Sequence, residues 1–156
     1  MSEWDEVVAA IGRAQQGDAG GRDALMAHWG STSSEDHARR CVLAHYLADL
    51  EPEPADEVAW DEVALAEFGH LADDDLAVIG IPSVEGLAPS LHLNLAHGYL
   101  RLGRVDDARH SLERGRAAAG ALADDGYGAM VLRGLDGAAE RLAAADASPA
   151  LDESTP

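Results

Sequence analysis

The fold is decided by residues 90–120, which read SLHLNLAHGYLRLGRVDDARHSLERGRAAAG. Apolar or long side chains recur three and four positions apart on both sides of Gly103, and this spacing places them on one face of a helix. Gly103 tolerates the left-handed conformation that ends a helix, while Asp106 and Asp107 suit the positive first turn of the next one. The stretch therefore predicts two amphipathic helices, each with a face that needs a partner.

The same stretch resembles a tetratricopeptide (TPR) repeat, a helical hairpin that proteins use to hold other proteins. The positions that carry the resemblance are Asn94, Leu95, Ala96, Tyr99, Leu102, Gly103, Arg104, Asp107, Ala108, Leu112 and Gly115. Residues 37–70 follow the pattern with three extra residues in the turn, and residues 4–30 follow a degenerate form of it. The resemblance implies hairpins that stack on one another along the chain.

Helix start and stop signals mark the first three helices. Ser2 and Asp5 give the pattern of a capping box, and Gly17 is a stop signal for the helix that follows. A second helix precedes a break rich in serine and threonine. After this break, Ser33 or Ser34 is expected to cap the third helix, because both side chains suit the N-cap position.

Prolines and aspartates delimit the later helices. Residues 51–54 read EPEP, which ends the third helix because proline disfavours helical conformation in the residue before it. Pro89 suits the first turn of the fifth helix, and Asp124 or Asp125 is expected to cap a seventh. Residues 72–88 lack helical periodicity, and we expect an ordered connection packed against the helices there, since one short strand has no partner.

The sequence thus predicts an all-α fold, a TPR-like array of about three antiparallel helical hairpins plus a C-terminal capping helix, or about seven helices. We expect a single domain over residues 1–145, followed by a flexible tail over 146–156. In the capping helix the apolar stripe that contains Leu135 and Leu142 should be buried, and the charged residues should face solvent.

Charge is distributed unevenly along the chain. The net charge is −18, and all eleven basic residues are arginines. None of them lies between Cys41 and Leu100, a span that carries twelve acidic residues. Such a field repels phosphate backbones, so we expect a basic or neutral partner and no nucleic acid. The lack of lysine excludes a Schiff-base lysine and a P-loop site.

Composition and cysteine content predict a cytoplasmic protein. The apolar runs fall far short of the roughly 20 residues that a membrane span needs, so no membrane partner is expected. The acidic start of the chain differs from the basic start of a secretory signal. The lone Cys41 excludes an internal disulfide framework.

Potential metal ligands recur every four residues, at His37, Cys41, His45 and Asp49. Four residues advance about 40° around a helix, so the row drifts slowly around one side. Cys41 and His45 are the candidates for a metal or small-molecule site, with His92 or His97 as further ligands. No known metal-binding motif contains these residues, and a buried structural thiol beside solvated histidines is the simpler interpretation. We therefore expect no cofactor.

The resemblance gives this row a second interpretation. Superposing the two clearer hairpins at Ala44 and Ala96 makes His45 equivalent to His97. In TPR proteins such positions line the groove that grips a peptide. The resemblance therefore implies a partner-binding groove formed by Cys41, His45, Ala48, Asp49, Leu93, His97, Leu100 and Arg101. Asn94 is expected either to join this groove or to satisfy backbone groups between helices.

The basic residues form one cluster, at Arg101, Arg104, Arg109, Arg114 and Arg116. They either dock an anionic partner or, as we expect, pair with nearby acids on a solvated face. The resemblance implies a protein- or peptide-binding module, an adaptor or scaffold without catalytic activity, as a monomer or weak homo-oligomer. Two alternatives stay open: a metal or small-molecule binding protein that uses Cys41 and His45, and a self-assembling structural repeat.

Overall fold

The computed structural model describes residues 1–147, which form seven α-helices and no strand. This confirms the predicted all-α class and the number of helices. The helices are α1 (Glu3–Gln15), α2 (Gly21–Ser31), α3 (His37–Asp49), α4 (Pro54–Phe68), α5 (Ala88–Arg101), α6 (Val105–Ala118) and α7 (Gly126–Ala147). Short connections separate the helices within the α1/α2, α3/α4 and α5/α6 pairs, and the members of each pair pack together as a helical hairpin.

Two of the predicted helix starts and one stop signal are confirmed. The Ser2 hydroxyl accepts a hydrogen bond from the Asp5 N–H at 3.2 Å, and the Asp5 carboxylate accepts one from the Ser2 N–H at 2.9 Å. Asp125 accepts a bond from the N–H of Gly128 at 2.7 Å, just before the first full turn of α7. Gly17 has φ +79°, the left-handed conformation that ends the α1 segment.

The predicted cap of α3 is wrong. The helix begins at His37, and Asp36 rather than Ser33 or Ser34 is the N-cap residue. Ser33 instead takes part in a separate turn that precedes the helix. The N–H of Glu35 donates to the Ser33 hydroxyl at 3.3 Å, and the Ser33 N–H donates to the Asp36 carboxylate at 2.9 Å. These local side-chain bonds compete with helix formation, which delays the helix start.

The core extends continuously along the chain through contacts between successive helices. The α4 helix packs on α5, and α7 packs on both α5 and α6. One part of the core lies among α1 to α4, where Leu25, Leu43 and Leu47 have no exposed surface. The other part lies among α5 to α7. There Leu135 and Leu142 of α7 are 1% and 7% exposed, which confirms the predicted buried stripe.

Residues 72–88 form the ordered connection that the sequence predicts. Two single turns of 3₁₀ helix, Ala77–Ile79 and Val84–Gly86, replace any strand. Leu76 is completely buried, and Leu87 is 7% exposed. The connection is therefore anchored to the helices by its own apolar side chains.

A polar cluster joins α2, α3 and α4. The Arg40 guanidinium lies 4.0 Å from the ring centroid of Trp29 and donates to the Glu67 carboxylate at 2.8 Å. The other Glu67 oxygen bonds His37 Nδ1 at 2.6 Å. Burial acts to raise the pKa of Glu67, but hydrogen bonds from Arg40 and His37 outweigh it and lower the pKa. The cluster fixes the orientation of α4 against the helices before it.

The C-terminal helix is longer than predicted, because α7 continues to Ala147. The predicted flexible tail is thus replaced by helix over residues 146–147, and its remainder, 148–156, lies outside the described residues. No helix in the described part of the chain combines the length and the apolar character needed to cross a membrane.

Candidate functional site

Side chains of α3, α5 and α7 approach one another on one side of the protein. Asn94 of α5 approaches His45 of α3, with Nδ2 and Nδ1 3.5 Å apart. On its other flank, Leu93 of α5 packs against Gly134 of α7, where an added Cβ would stand 2.5 Å from Leu93 Cδ2. The α5 helix therefore lies between α3 and α7, and we call this side of the molecule the α3/α5/α7 face.

The residues predicted to line a groove separate into two groups. Cys41 and Ala48 have 0% exposed surface and belong to the core. This corrects their placement in the groove, because α3 turns both side chains inward, where no partner can reach them in this conformation. The other six are partly or fully exposed: His45, Asp49, Leu93, His97, Leu100 and Arg101.

The cysteine of the predicted metal row is an ordinary core residue. Burial, with a smaller effect of the Glu67 charge, raises the pKa of Cys41 to about 12. A thiol held this strongly in its protonated form, with no exposed surface, is a poor nucleophile. Within residues 1–147 no group of three or more His, Cys, Asp or Glu side chains is placed to hold a metal ion.

Both histidines on the α3/α5/α7 face are neutral at pH 7. Burial lowers the pKa of His45 to about 4. Burial also lowers the pKa of His97, and the positive charges of Arg141 and Arg101 add to the effect. Neutral imidazoles offer one donor and one acceptor each, so these side chains are suited to hydrogen bonding rather than to charge pairing.

Most of the arginine cluster pairs with nearby acids, as expected for a solvated face. Within the cluster, Arg104 bonds Asp107 at 2.8 Å and Arg109 bonds Asp106 at 2.8 Å. Arg101, a predicted groove residue, donates to Glu57 of α4 while its side chain stays 45% exposed. The pair holds Arg101 beside the groove without removing it from solvent.

Sequence reasoning missed Asp61 of α4, which is 1% exposed and has no hydrogen-bond partner for either carboxylate oxygen among the described residues. Burial raises the pKa of Asp61 to about 8, and the charges of Glu57 and Asp49 add to this, whereas Asn94 and Arg101 oppose it. The carboxyl group is therefore largely protonated at pH 7. The available signal was an acidic residue at helical spacing from the buried Val58.

A cleft of about 360 Å³ opens between α3 and the start of α7. Its lining includes His45, Tyr46, Ile81, Leu87, Leu122 and Tyr127. The Tyr127 hydroxyl is hydrogen-bonded to the hydroxyl of Ser90 on α5. This feature, which we call the His45 cleft, lies on the α3/α5/α7 face. The sequence did not reveal it, because two irregular connections form much of its wall.

No family model, curated protein or solved structure matches this chain. The α3/α5/α7 face and the His45 cleft are the features from which a function is inferred. Their chemistry is that of a surface with apolar contacts, neutral imidazoles and one half-exposed guanidinium, that of Arg101.

Proposed function

We propose that the protein is a protein- or peptide-binding module without catalytic activity, and that the α3/α5/α7 face holds a segment of another protein. The observation that carries the proposal is the His45 cleft, whose volume is about 360 Å³. This volume lies at the small end of the range for ligand pockets and suits one or two apolar side chains of a bound peptide. The TPR resemblance supports the same face, since His45 and His97 are equivalent in it.

Exposed apolar side chains extend the face beside the cleft. Tyr127 is 46% exposed and Met130 is 54% exposed, and they lie three residues apart on one side of α7. Tyrosine and methionine are enriched at protein interfaces. The bond from Tyr127 to Ser90 holds its ring at the edge of the cleft, so little side-chain freedom is lost when a partner binds.

Charge selects the partner. The chain carries 29 acidic and 11 basic residues, so its field attracts basic segments and accelerates their encounter with the face. Asp49 lies at the exposed end of α3 on this face. Burial by its surroundings and the Glu57 charge raise the pKa of Asp49 to about 6, which leaves it ionised at pH 7. A segment with an apolar anchor and a basic neighbour fits these features.

Peptide selection followed by calorimetry tests the proposal. Short random peptides displayed on phage are selected on the immobilised full chain, and the enriched peptide is titrated into wild type, His97→Ala and Arg101→Glu. Each variant should bind about tenfold more weakly, or about 1.4 kcal/mol. Arg13→Glu on α1, where Arg13 pairs with Asp18, is the control and should bind normally. Unchanged affinity in both face variants rejects the groove.

The volume of the cleft also favours a second candidate, a small-molecule binding protein. Native mass spectrometry and elemental analysis of protein purified without chelator separate the two candidates, because a stoichiometric small molecule or metal supports the second. Self-assembly through exposed helical faces is the remaining alternative. Light scattering over a range of concentrations tests it, and a strict monomer removes it.

A further inference from the structure

A second cavity lies on the opposite side of α5 from the α3/α5/α7 face. Its volume is about 390 Å³, and it is enclosed by the end of α4 and by adjacent faces of α5 and α6. Leu65, Phe68 and Leu95 give it an apolar wall. His92 of α5 with His110 and Arg114 of α6 give it a second wall that carries nitrogen donors and the positive charge of Arg114. We call it the Arg114 pocket.

The Arg114 guanidinium and the two imidazoles line the same part of the Arg114 pocket. Burial is the main cause that lowers the pKa of His92, and the positive charges of Arg114 and His110 lower it further. Among the ion pairs between described residues, none includes Arg114, whereas Arg116 on the same helix reaches Asp136 at 3.6 Å. Arg133 and Arg141 are also absent from these ion pairs, and Arg114 is the one of the three that lines the cavity.

The remaining polar groups of the pocket do not cancel this charge. Asp107 also lines it, but the Asp107 carboxylate is bonded by Arg104 at 2.8 Å. The hydroxyl-bearing residues Tyr99 and Ser111 are 9% and 5% exposed. Both residues line the pocket, and each carries a hydroxyl that can donate a hydrogen bond.

We propose that the Arg114 pocket is a binding site for a small organic anion with an apolar body and one carboxylate. The carboxylate lies against Arg114 and the two histidines, since guanidinium groups bind carboxylates through paired hydrogen bonds. The apolar body lies against Leu65, Phe68 and Leu95. The ligand needs both the carboxylate and the apolar body, because the net charge of the protein opposes anions in general. The ligand class differs from that of the proposed function, and the pocket lies on the opposite side of α5.

Titration with simple probes, followed by amide and side-chain NMR shifts of the full chain, tests this site. Sodium octanoate carries both features, octanamide keeps the apolar body without the charge, and inorganic phosphate keeps a charge without the body. Octanoate should produce saturable shifts at His92, His110 and Arg114. Octanamide and phosphate should each bind at least about tenfold more weakly. Equal binding of octanoate and octanamide would show a merely apolar cavity and overturn the assignment.

Matched variants on α6 complete the test. Arg114→Gln removes the charge from an exposed position, so the fold should persist, and circular dichroism checks this. The octanoate affinity of Arg114→Gln should fall about tenfold. Arg116→Gln, two residues further along α6, should bind octanoate as wild type does, because Arg116 does not line the pocket. Equal affinities for both variants, or no saturable shift in wild type, would contradict the proposal.

Discussion

Gly98 of α5 lies directly against Val58 of α4, so that a Cβ added to Gly98 would stand 2.5 Å from Val58 Cγ2. Val58 is 2% exposed, and its branched side chain has little freedom to move away. The absence of a side chain at position 98 therefore sets how closely the α3/α4 hairpin approaches the α5/α6 hairpin. This spacing in turn places His97 and Arg101 on the α3/α5/α7 face.

Gly98→Ala should destabilise the protein, because overpacking of a tight core contact costs about 1–3 kcal/mol. Urea denaturation followed by circular dichroism measures the free energy of unfolding. Gly137→Ala in α7 is the matched control, since nothing lies within 4 Å of the added Cβ. The control should gain up to about 1 kcal/mol from the better helix propensity of alanine.

Removing the opposing methyl groups should relieve the effect of Gly98→Ala. In the double variant Val58→Ala/Gly98→Ala, the added Cβ no longer meets Val58 Cγ2, so the two changes should be less destabilising together than the sum of their separate effects. Strictly additive losses would show that the two residues do not set the distance between α4 and α5.

Asp61 should make the protein less stable as the pH rises from about 6.5 to 8. The pKa of Asp61 is about 8 in the folded chain, against an ordinary value of 3.8. Between these two pKa values the native state binds more protons than the unfolded state. The stability that Asp61 contributes is therefore fully present at low pH and is lost as the pH rises through the folded-state pKa. Over this window the Asp61 contribution falls by about 2 kcal/mol, and the difference between wild type and Asp61→Asn in urea denaturation at several pH values isolates it.

The other shifted groups act mainly below this window, and the three histidines overlap its lower end, where they offset part of the Asp61 loss. The lowered pKa values of His45, His92 and His97 give stability that is present above about pH 6.5 and is lost as the pH falls. Asp49, with a pKa of about 6, affects the stability mainly below pH 6.5. Asp61→Asn should therefore remove the downward contribution between pH 6.5 and 8, whereas Asp49→Asn should keep it. Parallel slopes in wild type and Asp61→Asn would contradict the account of Asp61.

Cys41 should be almost inert toward thiol reagents in the native protein. Its pKa of about 12 and complete burial suppress the thiolate at pH 8. Labelling by dithionitrobenzoate should be roughly two to three orders of magnitude slower than for a free cysteine. The rate should rise with urea in step with global unfolding. Rapid labelling of the folded chain would show that Cys41 is accessible to solvent, as its predicted place in the groove requires.

Much of the fold follows from local sequence signals. The capping box at Ser2, the stop at Gly17, the proline break before α4 and the buried stripe of α7 were all predicted from spacing and residue type. The start of α3 was not, because the side chains of Ser33 and Asp36 bond within a turn that competes with the helix. Helical periodicity carries no information on such competition.

The helical positions of the candidate site could be proposed from the sequence, whereas its irregular part could not. Equivalence of the two hairpins placed His45, His97 and Arg101 on one face, but it also included Cys41, whose side chain turns into the core. The wall of the His45 cleft comes from the connections over residues 80–87 and 121–125. Their position depends on tertiary packing of irregular backbone, for which a sequence pattern gives no rule.

We expect a partner segment on the α3/α5/α7 face to place an apolar side chain in the His45 cleft. Photo-cross-linking tests it most directly, with the selected peptide carrying a benzophenone in place of its apolar anchor and the adducts located by mass spectrometry. With the anchor in the His45 cleft, adducts are expected at Tyr127, Met130 and residues 80–87. Adducts confined to α1, α2 or α6 would contradict it.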